Sequence, residues 1–211
     1  DEPIQVYALP HLQKARAIES TFKFSVPLPS DMNAEVFKRL PKMGKHGQFA
    51  YIHFLQPHQP YDPPPNHLSL FDPDKFGQCK CGGMGWNDRL FPALELANKN
   101  GYAPIDVLNH ARASYSANIH FVDEAVGDLL KRLRESGLYD DSLIIVMSDH
   151  GEAFFKHKRW GHNNHVYDDM VRIPLMMKFP KSEKISPKRL RHLVETIDIL
   201  PTVLALLDAE A

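Results

Sequence analysis

Apolar positions fall into several short runs and one long one. Residues 1–48 hold only brief patterned stretches, 15–24 and 32–40, cut by Pro10, Pro27, Pro29 and Pro41, which predicts a peripheral segment leading into the core. Residues 49–55, rich in aromatic and β-branched side chains and bounded by Gly47 and Pro57, read as a buried strand. A proline-rich loop, 56–65, opens from it. From 66 to 104 the composition turns to Gly, Pro, Asn and Asp, with Gly-Gly-Met-Gly at 82–85, which predicts an irregular excursion that shapes a surface. Ala111, Tyr115, Ile119, Val122, Val126, Leu129, Leu130 and Leu133 then repeat at three- and four-residue steps. That spacing predicts a long helix beginning at Pro104 or Ile105 and stopped by Gly137.

Residues 142–147, Ser-Leu-Ile-Ile-Val-Met, show no polar alternation, as expected of a strand covered on both faces in a parallel sheet. The run ends abruptly in Ser148-Asp149-His150-Gly151-Glu152. A further apolar run at 173–179 and an amphipathic helix at about 194–207, with Pro201 marking a start or kink, complete the pattern. The order predicts an α/β fold, a mostly parallel sheet flanked by helices.

Charge narrows the function. With 25 basic against 26 acidic residues the chain lacks the basic excess of a dedicated nucleic-acid binder. A chain of 211 residues buries roughly 70% of its unfolded surface, enough for one core. No apolar run approaches the roughly 18 to 20 residues that span a bilayer, and Asp1-Glu2-Pro3 lacks a signal peptide's layout, so no membrane anchor is visible in this chain. Both cysteines lie in Cys79-Lys80-Cys81, too close for an unstrained internal disulfide; they read as loop thiols or as half of an intermolecular site.

The chemistry concentrates at strand ends. In open α/β sheets, polar residues just past a central strand's carboxyl end project into the ligand crevice. Asp149 and His150 hold that place, and a carboxylate oxygen beside an imidazole nitrogen can bind a divalent cation. The competing reading makes Asp149 the cap of a following helix. Four of the 12 histidines, His150, His157, His162 and His165, fall within 16 residues on a loop, which favours a site over packing. His58, in Gln56-Pro57-His58-Gln59-Pro60-Tyr61, follows the first apolar strand. If both strands run parallel it emerges on the same edge as Asp149, its backbone braced by proline.

These residues resemble a known family. Residues 54–64 (FLQPHQPYDPP), 143–152 (LIIVMSDHGE), 161–175 (GHNNHVYDDMVRIPL) and 197–202 (IDILPT) look like the sulfatase family of the alkaline phosphatase superfamily, in the right order across 49–207. The resemblance implies an alkaline-phosphatase-like fold, incomplete here, with 49–211 a partial catalytic domain. It implies a hydrolase of sulfate esters, or a relative acting on phosphate or phosphonate esters, at one divalent metal. Calcium leads by family habit; manganese or zinc stay open because a histidine ligand favours them. Asp149 and His150 would be metal ligands, and His58 would contact the sulfate or the leaving-group oxygen as general acid. His162 stands where many sulfatases carry lysine, so a switchable imidazole replaces a fixed charge. Arg172 matches the family pattern as a substrate-binding position, with pairing to Asp168 or Asp169 as its structural alternative. Glu152 reads as a helix-start or supporting acid.

The family's nucleophile motif, Cys or Ser followed by any residue, Pro, any residue and Arg, does not occur in this sequence. Ser25-Val26-Pro27-Leu28-Pro29 places proline where arginine is required, and Ser186-Pro187-Lys188-Arg189 has the wrong spacing. The expectation is an internal or carboxyl-side part of a larger sulfatase-like enzyme, inactive by itself, its substrate a small-molecule or glycan sulfate ester. A phosphoethanolamine-type transferase and a non-catalytic metal- or anion-binding module are the alternatives. The family suggests an exported compartment, periplasmic, extracellular or lysosome-like.

Overall fold

A computed structural model describes residues 28–40, 47–59, 61–72, 90–162 and 165–208. The expectations for 15–24, for Cys79 and Cys81 and for the Gly-rich stretch at 82–85 lie outside these residues. The frame is α4, Ile105–Glu135, a 31-residue helix whose buried positions, Leu108, Ala111, Ser114, Ala117, Asn118 and Ala125, follow helical spacing. It ends as predicted, with Gly137 at φ 73°, where a side chain would be strained. Three shorter helices lie against it: α1 (Pro29–Arg39), α2 (Pro65–Phe71) and α3 (Leu90–Asn100). Asn33 of α1 is buried and donates from Nδ2 to the Ala125 carbonyl at 2.7 Å, which fixes the α1–α4 register.

Helices α2 and α3 correct the reading of 66–104 as wholly irregular. Leu90, Leu94 and Ala97 of α3 are buried at four- and three-residue spacing, a period hidden by the turn-forming composition around it. Leu90 and Leu94 join Tyr61, Ala111 and Trp160 in the main apolar cluster, flanked by Phe91, Val107, Tyr115, Phe154 and Phe155.

The two apolar runs form β1 (Ile144–Met147) and β4 (Leu175–Lys178). They pair with each other antiparallel, Ile144 opposite Lys178 and Met147 opposite Leu175. The second described pair, β2 (Ala153–Phe154) with β3 (Trp160–Gly161), is an antiparallel hairpin. Parallel pairing is therefore absent among the described strands. The cover on both faces expected of this run is not observed either, with Ile144, Ile145 and Val146 half-buried and Met147 exposed, and an unalternating apolar run says nothing of the neighbour's direction.

Residues 49–55 form no strand and have no hydrogen-bonded strand partner among the described residues, and Phe49 and Tyr51 are exposed, which corrects the buried-strand expectation there. A strand needs a neighbour to take its backbone groups, and none of the described strands pairs with these residues. Met147 and Met176 are likewise exposed on the β1–β4 pair. The chain closes through α5 (Asp168–Val171), β4 and α6 (Ile199–Leu206). Pro201 sits in the first turn of α6, where its missing N–H costs nothing, so it marks the start and makes no kink.

Candidate active site

The turn that leaves β1 carries the first group of site residues. Asp149 Oδ1 accepts the His150 backbone N–H at 2.9 Å, and Ser148 Oγ donates to the His150 carbonyl at 2.6 Å, so the turn is tied internally. Gly151 fastens it to α5. Its N–H donates to the Met170 carbonyl at 2.7 Å, and a Cβ built on Gly151 would stand 2.0 Å from the Asp169 carbonyl oxygen. No helix follows Asp149. The chain enters β2 at Ala153, so neither the helix cap expected of Asp149 nor the helix start expected of Glu152 forms.

His58 reaches this turn from the other loop, after a cis Gln56–Pro57 peptide. Its ring centroid lies 6.3 Å from that of His150 and 4.8 Å from that of His162, and His150 stacks on His162 at 4.4 Å. Three imidazoles separated in sequence thus share one cleft beyond the carboxyl end of β1. Each has its Nδ1 against an acceptor: the Gln59 carbonyl at 2.5 Å for His58, the Gly151 carbonyl at 2.8 Å for His150, and the Glu152 carboxylate at 3.3 and 3.4 Å for His162. In the neutral rings the proton therefore sits on Nδ1, and Nε2 presents its lone pair.

Glu152 is the residue whose role the sequence concealed. Its side chain is only 4% exposed, between His162 and the hydroxyl of Tyr61. Burial pushes the Tyr61 phenol far up, and the neighbouring Glu152 charge and hydrogen bond push it the same way, so the phenol stays neutral and donates. Burial, and then Glu152, also raises Tyr115. Tyr61 belongs to the main apolar cluster, so a chain from core through Tyr61 and Glu152 to His162 fixes an imidazole that the sequence placed on a loose loop. The signal was present: Tyr61 and Glu152 lie in the same short motifs as His58 and Asp149.

The donor set suits a divalent cation. Asp149 Oδ1 and His150 Nε2 are 3.9 Å apart, so one ion at the usual ~2.0–2.4 Å can touch both. The Asp149 carboxylate is 71% exposed and open to a ligand. His150 keeps Nε2 unprotonated through its Nδ1 bond, the arrangement that metal-bound histidines use. Among the described residues no third His, Cys, Asp or Glu completes these two as a ligand set.

Among the described residues, no contact joins His157, His165 or the Arg172 side chain to this arrangement. His157 stacks on Tyr167 at 3.9 Å, and His165 packs near the same ring, with both nitrogens buried and no hydrogen-bond partner. Arg172 is exposed. Its backbone N–H donates to Asp168, but no described contact joins its guanidinium to Asp168 or Asp169, so the expected ion pair does not form. Both Asp169 carboxylate oxygens are buried with no hydrogen-bond partner.

The sulfatase family profile matches residues 31–209. The chain belongs to the sulfatase family. An uncharacterized sulfatase, YidJ, of Escherichia coli (strain K12) is 26% identical over 208 residues, covering 93% of this chain and 38% of the relative. A choline-sulfatase of Rhizobium meliloti (strain 1021) is 28% identical over 158 residues, covering 72% of this chain and 30% of the relative. Among solved structures, the phosphonate monoester hydrolase of Agrobacterium radiobacter superposes with a TM-score of 0.66 at 24% identity over 83% of this chain and 38% of that one. The fold of this sulfatase-family chain is accordingly the alkaline-phosphatase-like α/β fold. The chain spans about a third of the length of these curated relatives.

Proposed function

We propose that the chain supplies the metal-holding and acid side of a sulfate-ester hydrolase site. The observation that supports this most is the convergence of His58, His150 and His162, each with Nε2 presented, at the carboxyl end of the strand that carries Asp149. Asp149 and His150 would hold one divalent ion, with calcium first and manganese or zinc as alternatives. When bound, that ion supplies positive charge to the oxygens of the anionic ester.

The chain's own groups carry the proton and orient the substrate. His58, protonated on Nε2, donates to the departing ester oxygen, while its Nδ1–H stays on the Gln59 carbonyl and keeps the ring aimed. His162 receives the sulfate oxygens when its Nε2 carries a proton, and the buried Glu152 holds its ring in place. Arg172, exposed beyond α5, draws the anion toward the cleft. The attacking nucleophile comes from sequence outside this chain, which fits both the missing nucleophile motif and the share of its relatives that the chain spans. The substrate is a sulfate monoester of a small molecule or glycan.

In the complete gene product, 4-nitrophenyl sulfate should be hydrolysed, and His162→Lys should retain more kcat/KM than His162→Ala. The reverse order would move His162 from the substrate to the metal. The likeness to a phosphonate monoester hydrolase favours a second reading within the same mechanism, an ester of phosphorus. A higher kcat/KM for 4-nitrophenyl phenylphosphonate than for the sulfate would select it.

A further inference from the structure

On the face of α4 that packs against α2 lies a second cluster of ligand-type side chains. His67 of α2 is 4% exposed. Its Nδ1 stands 2.9 Å from Nδ1 of His120, and its Nε2 stands 3.5 Å from Oε2 of Glu124. His120 and Glu124 are one helical turn apart on α4, with Nδ1 and Oε1 3.7 Å from each other. One ligand atom from each of the three residues lies within 4.8 Å of the others.

We propose that His67, His120 and Glu124 form a zinc site, separate from the sulfatase cleft, that staples α2 to α4. Two ring nitrogens facing each other at 2.9 Å can share only one proton, whereas a cation between them uses both lone pairs. Two neutral imidazoles and one carboxylate are a composition that zinc takes, with a fourth position left for water. The facing nitrogens need to part only slightly, to about 3.3 Å, for tetrahedral angles at the usual zinc–nitrogen length. Glu124, 60% exposed, can swing onto the ion, and His120, 38% exposed, gives solvent a path for its entry.

The staple has a structural consequence. A helix of seven residues such as α2 has no stability of its own and depends on what it packs against. It follows directly on the loop that carries His58 and Tyr61, so fixing α2 fixes one end of that loop.

The test titrates Zn2+ alone, by calorimetry and by thermal melting, into the purified protein carrying Asp149→Ala and His150→Ala, and in parallel into wild type. The expected result is one tight equivalent in the double variant and a raised Tm. Adding His120→Ala, or separately Glu124→Gln, should weaken that equivalent by about a hundredfold or more, since even an outer partner of a metal ligand is worth about ten- to a hundredfold. In wild type the same two substitutions should remove one equivalent and its Tm gain. Co2+ in place of zinc should give the visible absorption of a tetrahedral ion, lost with His120→Ala. No zinc uptake, or uptake that survives both substitutions, overturns the proposal and leaves a metal-free histidine pair.

Discussion

Replacing Gly151 with alanine is expected to lower Tm by about 6–12 °C and to strip the cleft of metal. The added Cβ would meet the Asp169 carbonyl oxygen at 2.0 Å, far inside contact distance, and the obstacle is backbone that cannot rotate away. Either the β1 turn or α5 must shift, and the 2.7 Å bond from Gly151 N–H to the Met170 carbonyl stretches with it. Overpacking of this kind costs about 3 kcal/mol, and each kcal/mol moves Tm by about 2–4 °C in a chain of this size. Thermal melting with elemental analysis checks it; an unchanged Tm would mean that the turn and α5 are not clamped together.

The second large effect is Asp149→Ala. Among the described residues its carboxylate is the one charged ligand group beside His150 Nε2, and alanine leaves the imidazole alone. Metal retention should be lost. Hydrolysis by the complete gene product should fall by about a thousandfold or more, because a Lewis-acid cation contributes several kcal/mol to the transition state. The variant should keep its Tm in the presence of chelator, since among the described residues the exposed Asp149 side chain hydrogen-bonds only the adjacent backbone N–H. Unchanged metal content would refute the ligand assignment whatever the activity.

Much of this was legible in the sequence where the signal was local. The helix α4 and its glycine stop are set by residues a turn apart, and the structure has both, but its buried face runs through Leu108, Ala111, Ser114, Ala117, Asn118 and Ala125, so of the periodic apolar positions only Ala111 is buried and Ile119 is exposed. That His58 would emerge beside Asp149 was expected only if two strands ran parallel; residues 49–55 form no strand among the described residues, yet the 6.3 Å between the His58 and His150 rings brings the two motifs together. What stayed hidden depends on distant partners. Strand direction in β1 and β4 is decided by which neighbour offers hydrogen bonds, which an unbroken apolar run does not encode. Helix α3 was masked by the Gly- and Pro-rich composition beside it, although Leu90, Leu94 and Ala97 carry a helical period. The Tyr61–Glu152–His162 chain joins residues about 90 positions apart, and no spacing rule links a tyrosine after one strand to a glutamate after another.

Diffraction from crystals of the protein soaked with Mn2+ and inorganic sulfate, with data collected at the manganese absorption edge, examines the shared cleft directly. The expected map has an anomalous peak in contact with both Asp149 Oδ1 and His150 Nε2, and a sulfate touching Nε2 of His58 and His162. A peak confined to other residues, or a sulfate bound away from His58, would contradict it.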